Sequence, residues 1–131
     1  MADKIRKCST LLLASVLAFP FLTRAQDPSE NIRLNQVGFY PAGEKVAVII
    51  DSSSEVKPFY ILTNDAQKDT VYKGRLTKSV VWEFSDEKVR KAVFTDLNVK
   101  GEFVLNVPGT GNSFPFTISD HVHGAVGKAS L

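Results

Sequence analysis

"IRLNQVGFYPAGEKVAVII", Ile32 to Ile50, is an apolar run, a turn and a second apolar run. Pro41 fixes φ and Gly43 permits a positive one, so "PAGE" reads as the turn. "KVAVII" beyond it is rich in β-branched side chains, which suit a pleated strand. The same pattern continues down the chain. "DSSS" follows, with side chains that bond locally to backbone and interrupt a strand. "FYILT", "TVYKGRL" and "VVWEF" read as the third, fourth and fifth strands. "SDEKVRK" is too short and too charged to bury a helical face, and reads as a turn leading into "AVFTDL".

The second half is clearer still. "EFVLNV" alternates, with Phe103, Leu105 and Val107 on one face and Glu102, Val104 and Asn106 on the other. "PGTGN" is a hairpin loop, lacking the lysine and following helix of a phosphate-binding loop. "SFPFTI" sets Phe114, Phe116 and Ile118 on one face. Pro115 cannot donate to a ladder, so that strand lies at an edge or turns the position outward. About seven to eight strands, with turn signals every 8–12 residues or so, predict an all-β, immunoglobulin-like sandwich of antiparallel strands. No helix of useful length and no repeat is expected. "HVHGAVGKASL", residues 121–131, loses the alternation and reads as a linker towards a further domain.

The start of the chain is of another kind. Lys4, Arg6 and Lys7 precede the apolar "CSTLLLASVLAFPFL", and Thr23 and Ala25 are small residues at the positions a signal peptidase reads. Residues 1–25 are therefore expected to be a signal peptide, cleaved after Ala25, with 26–31 a polar leader. The apolar run, about 15 residues and interrupted by Pro20, is shorter than the roughly 20 a spanning helix needs, so no membrane span remains after cleavage. Cys8, the only cysteine, falls inside the signal behind Arg6 and Lys7, which argues against a lipid anchor. A mature chain without cysteine is ordinary for a bacterial secreted or periplasmic protein. The whole chain has 16 basic and 14 acidic residues; the signal removes four and one, leaving 12 against 13. The basic excess belongs to the signal, and no nucleic-acid partner is expected.

The residues between Ile32 and Asp120 resemble the N-terminal immunoglobulin-like domain of family 9 glycoside hydrolases, the cellulases and endoglucanases. The opening match runs through Ile32, Arg33, Asn35, Gln36, Gly38 and Phe39, then Lys45, Ala47 and Val48. A second, separate match runs through Phe94, Leu97, Gly101, Phe103, Leu105, Val107, Ser113, Pro115, Phe116 and Ile118. The chain departs from the family in carrying phenylalanine at 39 and 103, where tyrosine is common. The resemblance implies a noncatalytic module (residues 32–120) that docks on and stabilises a catalytic (α/α)₆ barrel absent from this sequence. Hydrolysis in that family uses a carboxylate base and a glutamic acid of the barrel, so no catalytic residue is carried over and the chain alone is expected to be inactive.

Chemistry of the chain's own is correspondingly thin. Inverting hydrolysis needs two carboxyl groups across a cleft, roughly 6.5–9.5 Å apart. Asp51, Asp65, Asp69, Asp86, Glu87, Asp96 and Asp120 fall in turns or at strand ends. His121 and His123 could be two metal ligands but lack a third, so neither metal nor cofactor is expected. Asn35, Gln36, Gly38 and Phe39, a polar break in an apolar strand, are candidates for the interface with the barrel. Trp82 is a candidate for the core or an interface, or for stacking on sugar. The last role supports the alternative of a stand-alone secreted module that binds β-glucan.

Overall fold

A computed structural model describes residues 27–66 and 68–129. The expected signal, residues 1–25, lies outside the described residues. Among the described residues nine strands and one short helix form: β1 (Ile32–Arg33), β2 (Val46–Ile50), β3 (Pro58–Thr63), β4 (Thr70–Arg75), β5 (Val80–Val81), β6 (Lys88–Val93), β7 (Gly101–Val107), β8 (Gly111–Asn112), β9 (Phe116–Ile118) and α1 (Gly124–Ala129). They make the expected sandwich. The first sheet has the order β1-β2-β6-β5. The second has β4-β3-β7, with β8 and β9 both pairing with β7. Every strand pairing is antiparallel.

The period-2 alternation sets the core. Ala47 and Ile49 of β2 face Phe59 and Ile61 of β3 and Phe103, Leu105 and Val107 of β7, all buried. Five phenylalanines tie the layers together. Phe94 stands 5.5 Å from Phe39, 6.5 Å from Phe59 and 5.6 Å from Phe116, centroid to centroid. Phe116 also meets Phe103 at 6.1 Å. Edge-on and tilted pairs of this kind contribute about 0.5–1.5 kcal/mol each beyond their buried area. Gly74 is required by the packing: a Cβ there would stand 2.5 Å from the Phe59 ring.

Several local expectations shift. "VVWEF" is strand only over Val80–Val81, because the Trp82 carbonyl accepts from the amides of Ser85 (3.1 Å) and Asp86 (2.9 Å) and closes a turn. "SDEKVRK" is a turn only as far as Glu87. Lys88–Val93 is a full strand, paired along β2 from Val46↔Val93 to Ile50↔Val89. Its inward Arg90 disguised it. That guanidinium is buried because Nε donates to the Thr77 carbonyl (2.8 Å) and Nη1 to Asp51 (3.3 Å). Phe114 is exposed instead of sharing the inner face, since β9 begins only after Pro115. Beyond β9, six residues form α1, where no element was expected.

Candidate docking surface

Two regions hold the residues singled out from the sequence, and they sit at opposite ends of the first sheet. At the end marked by Val46 and Val93 lies the loop 35–40. At the end marked by Ile50 and Lys88 lies the 82–87 turn, whose Trp82 amide donates to the Glu87 carbonyl (2.8 Å).

The first region is turned in on itself. The Asn35 side chain accepts from the Val37 amide (3.0 Å) and its carbonyl from the Gly38 amide (3.2 Å), which bends the chain. Gly38 has φ 116°, and a Cβ there would meet the Thr117 carbonyl oxygen at 2.6 Å and Val122 at 2.9 Å. Phe39 bonds through its backbone to Thr117 (2.8 Å) and Ser119 (3.0 Å), while its ring enters the core. Tyr40 continues the clasp: its hydroxyl hydrogen-bonds to His123 Nδ1 at 2.7 Å, and the rings lie 5.2 Å apart. Residues 117–123 are thus strapped to this loop. Of the four candidate interface residues, Gly38 and Phe39 are buried within the chain and offer no surface; Asn35 and Gln36 are exposed.

The adjoining turn is closed by Lys45. Its side chain is fully buried and Nζ donates to the carbonyls of Pro41 (2.6 Å), Gly43 (2.9 Å) and Thr95 (3.3 Å). Burial pulls its pKa below the ordinary lysine value, with the Asp96 carboxylate pulling the other way.

The second region is open. Trp82 is not in the core: it follows an edge strand and is 49% exposed, with Phe84 beside it at 81%. Their centroids are 6.1 Å apart. A groove lies on each side of the indole. One is lined by Thr77, Lys78, Val80, Val89 and Lys91. The other is lined by Arg33, Val48, Ile50, Ser85, Glu87 and Val89. Both are mostly apolar floors edged by charge, an arrangement typical of a protein interface centre with its rim. No sequence pattern announced this face except the unbroken "VAVII".

The carboxylates are occupied with structure. Asp51 accepts from the Ser53 amide (2.9 Å) and hydroxyl (2.9 Å) and pairs with Lys57 (3.0 Å) and Arg90 (3.3 Å). Burial alone would raise its pKa, but the Ser53 and Lys57 contacts outweigh it and hold the carboxyl at about 2. Asp65 accepts from Thr63 and the Lys68 amide in a turn, and Asp120 pairs with Lys100. Among the described residues no group of three or more His, Cys, Asp or Glu is placed to hold a metal. A concavity of about 530 Å³ is lined by Val56, Pro58, Lys73, Gly74 and Arg75, without an acid or histidine to do chemistry.

Two packed antiparallel sheets, an inward-looking clasp and an open apolar face describe an immunoglobulin-like module. The family of cellulase N-terminal immunoglobulin-like domains matches residues 27–112, and the chain belongs to it. It is 31% identical over 104 residues to a xyloglucan-specific endo-β-1,4-glucanase of Bacteroides ovatus, a match covering 79% of this chain and 17% of that protein. It is 35% identical over 100 residues to endoglucanase D of Acetivibrio thermocellus, covering 76% and 15%. A solved Bacteroides ovatus family 9 structure superposes with a TM-score of 0.64 at 30% identity, over 79% of this chain and 18% of that one. A family 9 endoglucanase designated J30 gives 0.60 at 32% identity, over 66% and 16%. The chain therefore spans less than a fifth of the length of these relatives, and what it matches is the N-terminal immunoglobulin-like domain of family 9 endoglucanases, without the catalytic domain.

Proposed function

We propose that this chain serves a family 9 glycoside hydrolase as its noncatalytic module, docking on the catalytic (α/α)₆ barrel and stabilising it during polysaccharide degradation outside a bacterial cytoplasm. The observation that carries the reading is the exposed apolar face around Trp82 on a chain matching only a small part of full-length enzymes. An isolated domain leaves such a face wet, whereas a docked one covers it. Export rests on the signal-like residues 1–25. The test is the intact mass of the native secreted product, captured with an antibody to residues 27–129. A mass several times that of this chain, with Gln26 as the new N-terminus, is expected. A product ending with this sandwich alone would sink the reading.

The half-exposed indole favours a second reading, a glucan platform. Gel electrophoresis through soluble xyloglucan or β-glucan separates the two: retardation that disappears in Trp82→Ala would establish sugar binding, and unchanged mobility would dismiss it.

A further inference from the structure

We infer that the catalytic part seats on the outer face of the first sheet, centred on Trp82, and not on the loop 35–40; the inference rests on the docking reading above. The strand register puts Val46, Val48 and Ile50 of β2 beside Val93, Lys91 and Val89 of β6 on that outer face. Val80 pairs with Val89 on the same side. A sheet with one wet face alternates apolar and polar residues, whereas an unbroken apolar strand is one covered on both sides. β2 is of the second kind: Ala47 and Ile49 are buried by the core, and its other three side chains are apolar yet only partly buried. Among the described residues nothing packs over them.

Further observations select the occupant. The loop 35–40 is already engaged by residues 117–123 through Gly38, Phe39 and the Tyr40 hydroxyl, leaving Val37 and Tyr40 as its partly exposed apolar side chains. Around the apolar floor stand Arg33, Lys78 and Lys91, with Glu87 the acid on the lining, so the face fits a partner with an apolar centre and a carboxylate rim. The last described element, α1, follows the strap beside Tyr40, at the Val46 end of the sheet. More than four-fifths of each relative lies outside the match. A domain of several hundred residues is roughly 50 Å across, and five residues of β2 span about 17 Å. A body joined at the Tyr40 end therefore reaches over Trp82.

Hydroxyl-radical footprinting of the long secreted product tests this, each residue's rate being normalised to its rate in urea. Trp82 and Phe84 are expected to be protected at least fivefold more than their exposure in the free sandwich allows, while Tyr60, on the outer face of the second sheet, keeps the rate its exposure sets. Protection of Tyr40 and Gln36 with Trp82 and Phe84 left reactive would overturn this face while leaving docking intact. Reactivity matching the free sandwich at every position would overturn both. So would a secreted product that contains no further domain.

Discussion

The two outer faces of the sandwich follow one backbone rule and carry opposite chemistry. On the second sheet, Tyr60 lies between Lys73 and Asn106, and Glu102 opposes Thr117. Leu62 and Val104 are the apolar exceptions, and Val104 is buried by its neighbours. On the first sheet the corresponding positions are valine and isoleucine, broken only by Arg33 and Lys91. Each inner face is apolar but for the inward, hydrogen-bonded Arg90, as a shared core demands. The core explains why the chain folds, and only the contrast between outer faces says where it expects company.

That contrast can be broken in four places. The largest effect belongs to the shared interior, which sets the scale. Phe94→Ala, at a fully buried ring touching three others, should cost about 3–5 kcal/mol in urea unfolding. A loss comparable to a surface change would mean that the layers are not held by this cluster. Next comes the polar seam at the edge of the first sheet. Asp51→Asn leaves Arg90 and Lys57 without their anion and should cost about 1.5–3 kcal/mol. Because Asp51 titrates at about 2 when folded, below its ordinary value near 4, its stabilisation is complete above that ordinary value and disappears as pH falls to 2. Acid unfolding of the variant should therefore be shallower than that of the parent across this window. Equal slopes would remove Asp51 from the account.

The outer faces themselves come third. Val80→Thr with Trp82→Ser should move the stability of the sandwich by no more than about 0.5 kcal/mol. The pair should nonetheless lower concentration-dependent association in sedimentation velocity, while Tyr60→Ser on the second sheet leaves association unchanged. The reverse result would exchange the roles of the two faces. Smallest is Lys73→Ala, which removes an ammonium 5.6 Å from the Tyr60 ring centroid and should cost roughly 0.5 kcal/mol. A larger loss would show that the second sheet's outer face has a structural role of its own.

Much of the fold was legible because alternation is a direct image of burial. Phe103, Leu105 and Val107 point inward as their spacing required. The errors lie where a side chain's environment is assembled from distant segments. Arg90 looked like a turn residue because its acceptors, Thr77 and Asp51, are remote in the chain. Trp82 stayed open between core, interface and sugar stacking, because a local run cannot show that its strand ends one residue earlier, at a sheet edge. Asn35 to Phe39 was legible as special, but its partners, Thr117 to Val122, could only be supplied by folding. The open face had one trace in the sequence, the continuous "VAVII", which spacing alone reads as a good strand and nothing more.

Lys45 has a consequence for the environment in which such a module works. Carbonyl oxygens converging on a cation are how many loops outside cells hold calcium, and such loops loosen when the ion is scarce. The turn between Pro41 and Lys45 has the same kind of oxygen cage, but its cation is covalently tethered. Its occupancy is set by the chain and not by the medium. Chelators cannot strip it and dilution cannot empty it, so this corner of the sandwich keeps its shape in water of any hardness.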